Sequence, residues 1–120
     1  MDRTERLGFA PGDCPIRDVL DRVGDQWTLL VLKALDGRVS RFNELGRAIP
    51  DISKQMLSRT LRRMEEDGFV TRTLHAEVPL RVEYALTDLG GSLLVPMKAL
   101  IAWADENHPE IRKARLAFAA

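Results

Sequence analysis

The 120-residue sequence has one cysteine, one tyrosine, two tryptophans, no net charge and no long apolar run. A single thiol, Cys14, excludes an intrachain disulfide, so packing alone must hold the fold. The two histidines, His75 and His108, lie far apart, and no Cys/His metal-ligand spacing exists. No stretch of about 18 apolar residues and no basic segment leading into a short apolar one is present, which argues against a transmembrane helix or a secretory signal. Ser/His/Asp and Cys/His arrangements, glycine-rich phosphate loops, repeats and low-complexity tracts are also lacking. The expectation is a cytoplasmic protein that is not an enzyme and works without metal or cofactor.

What is there is the balance of a soluble globule, 45% hydrophobic and 30% charged. A domain of this size buries roughly two thirds of its unfolded surface, enough for a real core. The 18 basic and 18 acidic residues cancel, but they are not evenly spread. From Ile52 to Met64 the charged residues are Lys54, Arg59, Arg62 and Arg63 with no acid, and Glu65, Glu66 and Asp67 follow at once. A basic patch is hidden in a neutral chain.

Residues 1–13, with Gly8, Pro11 and Gly12 and no periodicity, are expected to form a flexible arm. Pro15 suits the first position of a helix that carries Ile16, Val19, Leu20 and Val23 as far as Gly24. Asp25 can cap a second helix with Trp27, Leu30, Val31, Ala34 and Leu35 inward, stopped by Asp36-Gly37. Ser40 is expected to cap a short third helix with Phe42, Leu45 and Ile49 inward and Arg41, Asn43, Glu44 and Arg47 outward. After the tight turn Pro50-Asp51-Ile52, Ser53 caps a fourth helix. Ile52 staples onto Leu57, Leu57, Leu61 and Met64 form the buried stripe, and Gly68 is the left-handed end. The period then changes to two over 69–74 and again over 81–86, a β-hairpin. Thr87 caps a last long helix whose Leu89, Leu93, Val95, Met97, Leu100, Ile101 and Ala104 are more apolar than one domain easily buries. Pro96 is expected to kink it, and Asn107-His108-Pro109 to break it before a separate terminal helix, 108–120, with Ile111, Leu116 and Phe118.

This order is mainly α with a small β-hairpin, a winged helix-turn-helix pattern over 14–107. At about 100° per residue, Leu61 and Met64 fall within roughly 40° of Leu57, whereas Gln55, Arg59 and Arg62 lie roughly 140° to 200° away. The exposed face therefore offers Ser53, Lys54, Gln55, Ser58, Arg59 and Arg62 to a DNA groove. Arginine pairs bidentately with guanine and glutamine with adenine, so Gln55 and Arg59 are the candidate base readers. Lys54, Arg62 and Arg63 suit phosphates, and Arg41 and Arg81 complete the DNA-facing set. The acidic triplet should point out of the groove. For Arg72 and Arg81 the alternative is a cross-strand pair with Glu77 or Glu83. For the whole basic face the alternative is a solvated surface, or one that meets an acidic protein partner.

The stretches CPIRDVLDRVGDQWTLLVLKAL from Cys14, RFNELGRAIPDISKQMLSRTLRRMEEDGFVTRT from Arg41 and EVPLRVEYALTDLGGSLL from Glu77 resemble the HxlR-type winged-helix regulators of bacteria, relatives of the MarR-type repressors. The resemblance implies a homodimeric transcription factor on a palindromic operator, with the first and last long helices forming the dimer interface through residues such as Leu93, Met97, Leu100 and Ile101. Trp103 and Phe118 would close that interface, and the segment 108–120 would be associated with it. The resemblance also makes Cys14, directly before a proline, a candidate sensor of oxidants or electrophiles. At a helix N-terminus with Arg17 one turn on, its thiolate would be favoured. Its alternatives are a packed structural residue, or a regulator answering a small-molecule ligand without thiol chemistry. A ligand cavity would be sought near Trp27, Tyr84 or Trp103.

Overall fold

Most helices begin where a side chain satisfies backbone donors that would otherwise be orphaned. The computed structural model describes residues 14–120, and the expected arm at 1–13 lies outside the described residues. Helix α1, Pro15–Val23, opens on Cys14, whose Sγ accepts the Arg17 N–H at 3.4 Å, and its first residue is a proline with no N–H to satisfy. Asp25 Oδ1 accepts the Thr28 N–H at 2.8 Å at the head of α2, Gln26–Ala34. The chain then turns at Gly37, where φ is +69°, into strand β1, Ser40–Arg41, and helix α3, Phe42–Ala48. Ser40 is not the cap of α3. Its backbone is extended and paired with Tyr84, so the cap moves on to Arg41, whose N–H donates to Glu44 Oε1 at 2.8 Å.

Asp51 takes φ +65° in the turn between α3 and α4, Lys54–Glu66. Ser53 Oγ accepts the Met56 N–H at 3.0 Å and fixes the start of α4. At its end Asp67 caps, and Gly68 takes φ +80°. The Gly68 N–H bonds the Glu65 carbonyl at 3.1 Å and the Phe69 N–H the Met64 carbonyl at 2.8 Å, the pairing that a left-handed glycine permits.

Strands β2, Val70–His75, and β3, Arg81–Leu86, form the expected hairpin, from Val70 opposite Leu86 to His75 opposite Arg81. The sheet has a third member: β1 pairs antiparallel with β3, giving the order β1-β3-β2. The fold is mainly helical with a small three-stranded sheet. Thr87 Oγ1 accepts the Gly90 N–H at 3.0 Å and opens α5, Asp88–Ala119, a single helix of 32 residues with Pro96 and Pro109 inside it. The expected separate helix at 108–120 is instead the last part of α5. A proline removes one N–H from the ladder, about 3 kcal/mol, which a helix continuing on both sides can absorb. Asn107 is not a break: its Nδ2 donates to the Trp103 carbonyl at 2.9 Å along the helix.

The core joins Val31, Leu32 and Leu35 with Leu45, Ile49, Leu57, Leu61, Met64, Val70 and Leu94. Trp27, expected in the core, is half-buried and packs against its edge. Among the described residues no helix is long and apolar enough to cross a membrane.

Candidate nucleic-acid interface

The two faces of α4 separate as the spacing requires. Leu57, Leu61 and Met64 are buried, whereas Ser53, Lys54, Gln55, Ser58, Arg59 and Arg62 are exposed. Thr60 joins the buried face, its hydroxyl without a hydrogen-bond partner. Its place three residues after Leu57 puts it there. Backbone N–H groups of the first turn, apart from the capped Met56, remain available at an end whose dipole attracts anions. Arg62 is loosely paired with Glu66, Nε to Oε1 at 3.6 Å, and its side chain stays 83% exposed.

Arg63 does not belong with these residues. Its Nη2 is bound to Asp25 Oδ2 and its side chain is half-buried, so it ties α4 to the head of α2 rather than facing outward. Burial works against the charge on Asp25, but the Thr28 N–H and the Arg63 guanidinium hold its carboxyl below the ordinary value of 3.8. The acidic triplet is also engaged. Asp67 and Glu66 receive Arg22 at 2.9 and 3.3 Å, leaving Glu65 exposed.

The two arginines of the wing differ in their surroundings. Arg81 is committed to the carboxylates named as its alternative partners, Glu77 in the hairpin turn at 3.0 Å and Glu83 on its own strand at 3.9 Å, so neither pair crosses between strands. His75, on the opposite strand, also pairs with Glu83 at 2.5 Å. Arg72 has no ion-pair partner among the described residues. It lines a groove of about 280 Å³ with Ser58, Arg62, Glu65 and Tyr84, beside the exposed face of α4. Arg41 is exposed but sits with Val39, Arg47 and Glu83 at another hollow, away from that groove. The spacing on α3 turns Asn43 and Arg47 to solvent. They meet Ser53 and Lys54 across a hollow of about 260 Å³ between α3 and the start of α4. Their signal was the outward spacing on α3 of residues that donate to phosphate.

Cys14 is buried at 3% exposure, under the first turn of α1. A large apolar surface stays uncovered: Ile16, Val19 and Leu20 on α1, and Val95, Leu100, Trp103, Leu116 and Phe118 on α5. Leu93 and Met97, expected at a dimer interface, are half-buried and also pack against the chain's own core. A cleft of about 740 Å³ lies between α2, the end of α3 and α5, lined by residues that include Leu30, Ile49, Ile101 and the ion pair of Lys98 with Asp36. It touches none of Trp27, Tyr84 or Trp103.

A capped helix with one buried and one basic face, preceded by a short helix and a tight turn and flanked by a small sheet, defines a winged helix-turn-helix regulator. The family model HxlR-like helix-turn-helix matches residues 22–112, and the chain belongs to that family of transcriptional regulators. It is 40% identical over 102 residues, 85% of this chain and 81% of the other, to YtfH of Escherichia coli (strain K12), described as an uncharacterized HTH-type transcriptional regulator. Among solved structures it is similar to ytfH from Salmonella typhimurium, at TM-score 0.76 and 38% identity over 85% of this chain and 91% of that one. It is likewise similar to the redox regulator HypR in its reduced form, at TM-score 0.74 and 35% identity over 82% of this chain and 98% of that one.

Proposed function

We propose that the protein is a homodimeric, sequence-specific DNA-binding regulator that sets α4 of each copy in the major groove of a palindromic operator. The observation that carries this is the exposed face of α4, where Ser53, Lys54, Gln55, Ser58, Arg59 and Arg62 project opposite the buried Leu57, Leu61 and Met64. Gln55 and Arg59 read bases; Lys54 and Arg62 touch phosphates, joined by Arg47 from α3 and Arg72 from the wing. The uncovered apolar residues of α1 and α5, including the segment 108–120, support a twofold dimer in which a second copy buries them. Two recognition helices about 34 Å apart give an operator of roughly 16 to 24 base pairs. A gel shift against the chain's own promoter region tests the reading. Specific binding should be lost in Gln55→Ala/Arg59→Ala, and its survival there would remove α4 as the reader.

The likeness to HypR supports Cys14 as a thiol that responds to oxidants or electrophiles. Because the thiol is buried, such a reaction has to disturb the start of α1, whose Arg17 N–H it accepts. Diamide or a quinone should then alter operator binding by the wild type and not by Cys14→Ala.

A further inference from the structure

Helix α1 is held to the rest of the chain by little apolar contact. Among the described residues Val23 is its one buried member, and Ile16, Val19 and Leu20 face outward. What joins it to α4 is charge. Arg22, in its last turn, donates through Nε to Asp67 Oδ2 at 2.9 Å and through Nη2 to Glu66 Oε2 at 3.3 Å. Two residues beyond α1, Asp25 Oδ2 holds Arg63 Nη2 while Asp25 Oδ1 caps α2. Glu66 also reaches back to Arg62 at 3.6 Å. Each side of the junction thus contributes both signs: a base and an acid from the corner between α1 and α2, a base and two acids from the end of α4. A slide or rotation of α4 would bring like charges together, so this pattern selects one orientation where a single pair would not.

Apolar packing sets how deeply α4 sits and which face it buries; the ion pairs add a directional constraint at its C-terminal end that contact area alone does not supply. We infer that Arg22 and Asp25 are positioning residues for DNA reading, fixing the orientation of α4 against the corner between α1 and α2 and, through Glu66, restraining Arg62. The inference rests on the reading that α4 meets DNA. Neither Arg22 nor Asp25 belongs to the basic face. Two helices must enter one duplex at a set separation, so a small swing in each is felt twice. The same network physically links α1 to α4.

The test uses the full chain, its operator and a non-specific duplex, measured well below the melting temperature. Arg22→Gln is expected to weaken operator binding about five- to tenfold while non-specific binding stays within about twofold, since phosphate contacts are kept. The exchanged pair Arg22→Glu/Asp67→Arg should recover operator preference relative to Arg22→Glu alone, which a general loss of stability would not explain. An unchanged ratio of operator to non-specific affinity in Arg22→Gln, or no recovery in the exchanged pair, overturns the inference. If Arg22→Gln does not fold, the same ratio is read from Asp67→Asn. Arg59→Ala separates the two levels of the argument. If it leaves operator binding intact, the reading of α4 as the DNA helix has failed; if it weakens binding while Arg22→Gln does not, only the positioning role has failed.

Discussion

Helices α4 and α5 both carry large apolar residues, yet they treat them in opposite ways. In α4 the stripe Leu57, Leu61 and Met64 is buried to within 2% exposure, whereas α5 leaves Val95, Leu100, Trp103, Leu116 and Phe118 more than half exposed. The first helix is completed by its own chain and the second is not. Large exposed apolar patches are a common feature of interaction surfaces. The helix finished by its own core presents a charged, exposed face, and the unfinished helix presents apolar residues that its own chain does not cover.

The largest expected effect falls on α4. Leu61→Ala opens a cavity in the core and should cost about 2 to 5 kcal/mol in denaturant unfolding. Leu116→Ala on α5, at 72% exposure, should cost the isolated subunit little. Equal losses at the two sites would erase the contrast. The next effect is on assembly. Leu100→Asp/Trp103→Asp should give a folded monomer by sedimentation with operator binding lowered by at least about a hundredfold, because one recognition helix alone lacks the second half-site. A dimer of unchanged stability in this variant would show that the exposed face of α5 is not the interface.

Within the basic face the expected effects are smaller and more specific. Arg59→Ala should cost about 1 to 3 kcal/mol and relax the preference at one base position, as a lost bidentate contact does. On the wing, Arg72→Ala should weaken all duplexes alike and lower the salt slope by about one unit. Arg81→Ala should leave that slope unchanged, because Arg81 is already neutralised by Glu77 and Glu83. The reverse result would return Arg81 to the DNA and make its ion pairs incidental.

How much of this was legible in the sequence depends on how local each feature is. The caps at Asp25, Ser53 and Thr87, the left-handed Gly68 and the two faces of α4 all follow from residues within a turn or two of one another, and all are found where expected. Strand β1 is two residues long, too short for any period, and exists only because β3 offers an edge to it. The continuity of α5 through Pro109 was hidden because a proline marks a probable boundary, not a certain one. The partners of the arginines were the least legible. Arg63 finds Asp25 across 38 residues and Arg22 finds Asp67 across 45, so the charge of the basic run suggests Arg63 as a phosphate contact while tertiary geometry pairs it with Asp25. Arg72 differs for a reason of register: it lies opposite Tyr84, whereas Glu83 lies opposite Thr73, so the pleat turns the two side chains to opposite faces of the sheet.

The smallest effect sharpens the comparison at the junction itself. The Asp25 carboxyl is held below its ordinary value of 3.8, by the Thr28 N–H and Arg63 against the opposing effect of burial. A depressed folded value means that in the acid range the unfolded chain binds more protons than the folded one, so stability rises with pH there. The contribution of Asp25 is therefore fully present above about pH 4 to 5, and it is lost as pH falls through the lowered value. Asparagine can still cap α2 but cannot pair with Arg63 as an anion. Asp25→Asn should accordingly flatten the acid limb of a stability-pH profile while changing the helix content little. Its side chain is 38% exposed, so solvent screening keeps the effect below that of any core change. An acid limb identical to wild type would mean that Arg63 is held at α2 by packing of its stem, and that the charge on Asp25 contributes nothing to seating α4.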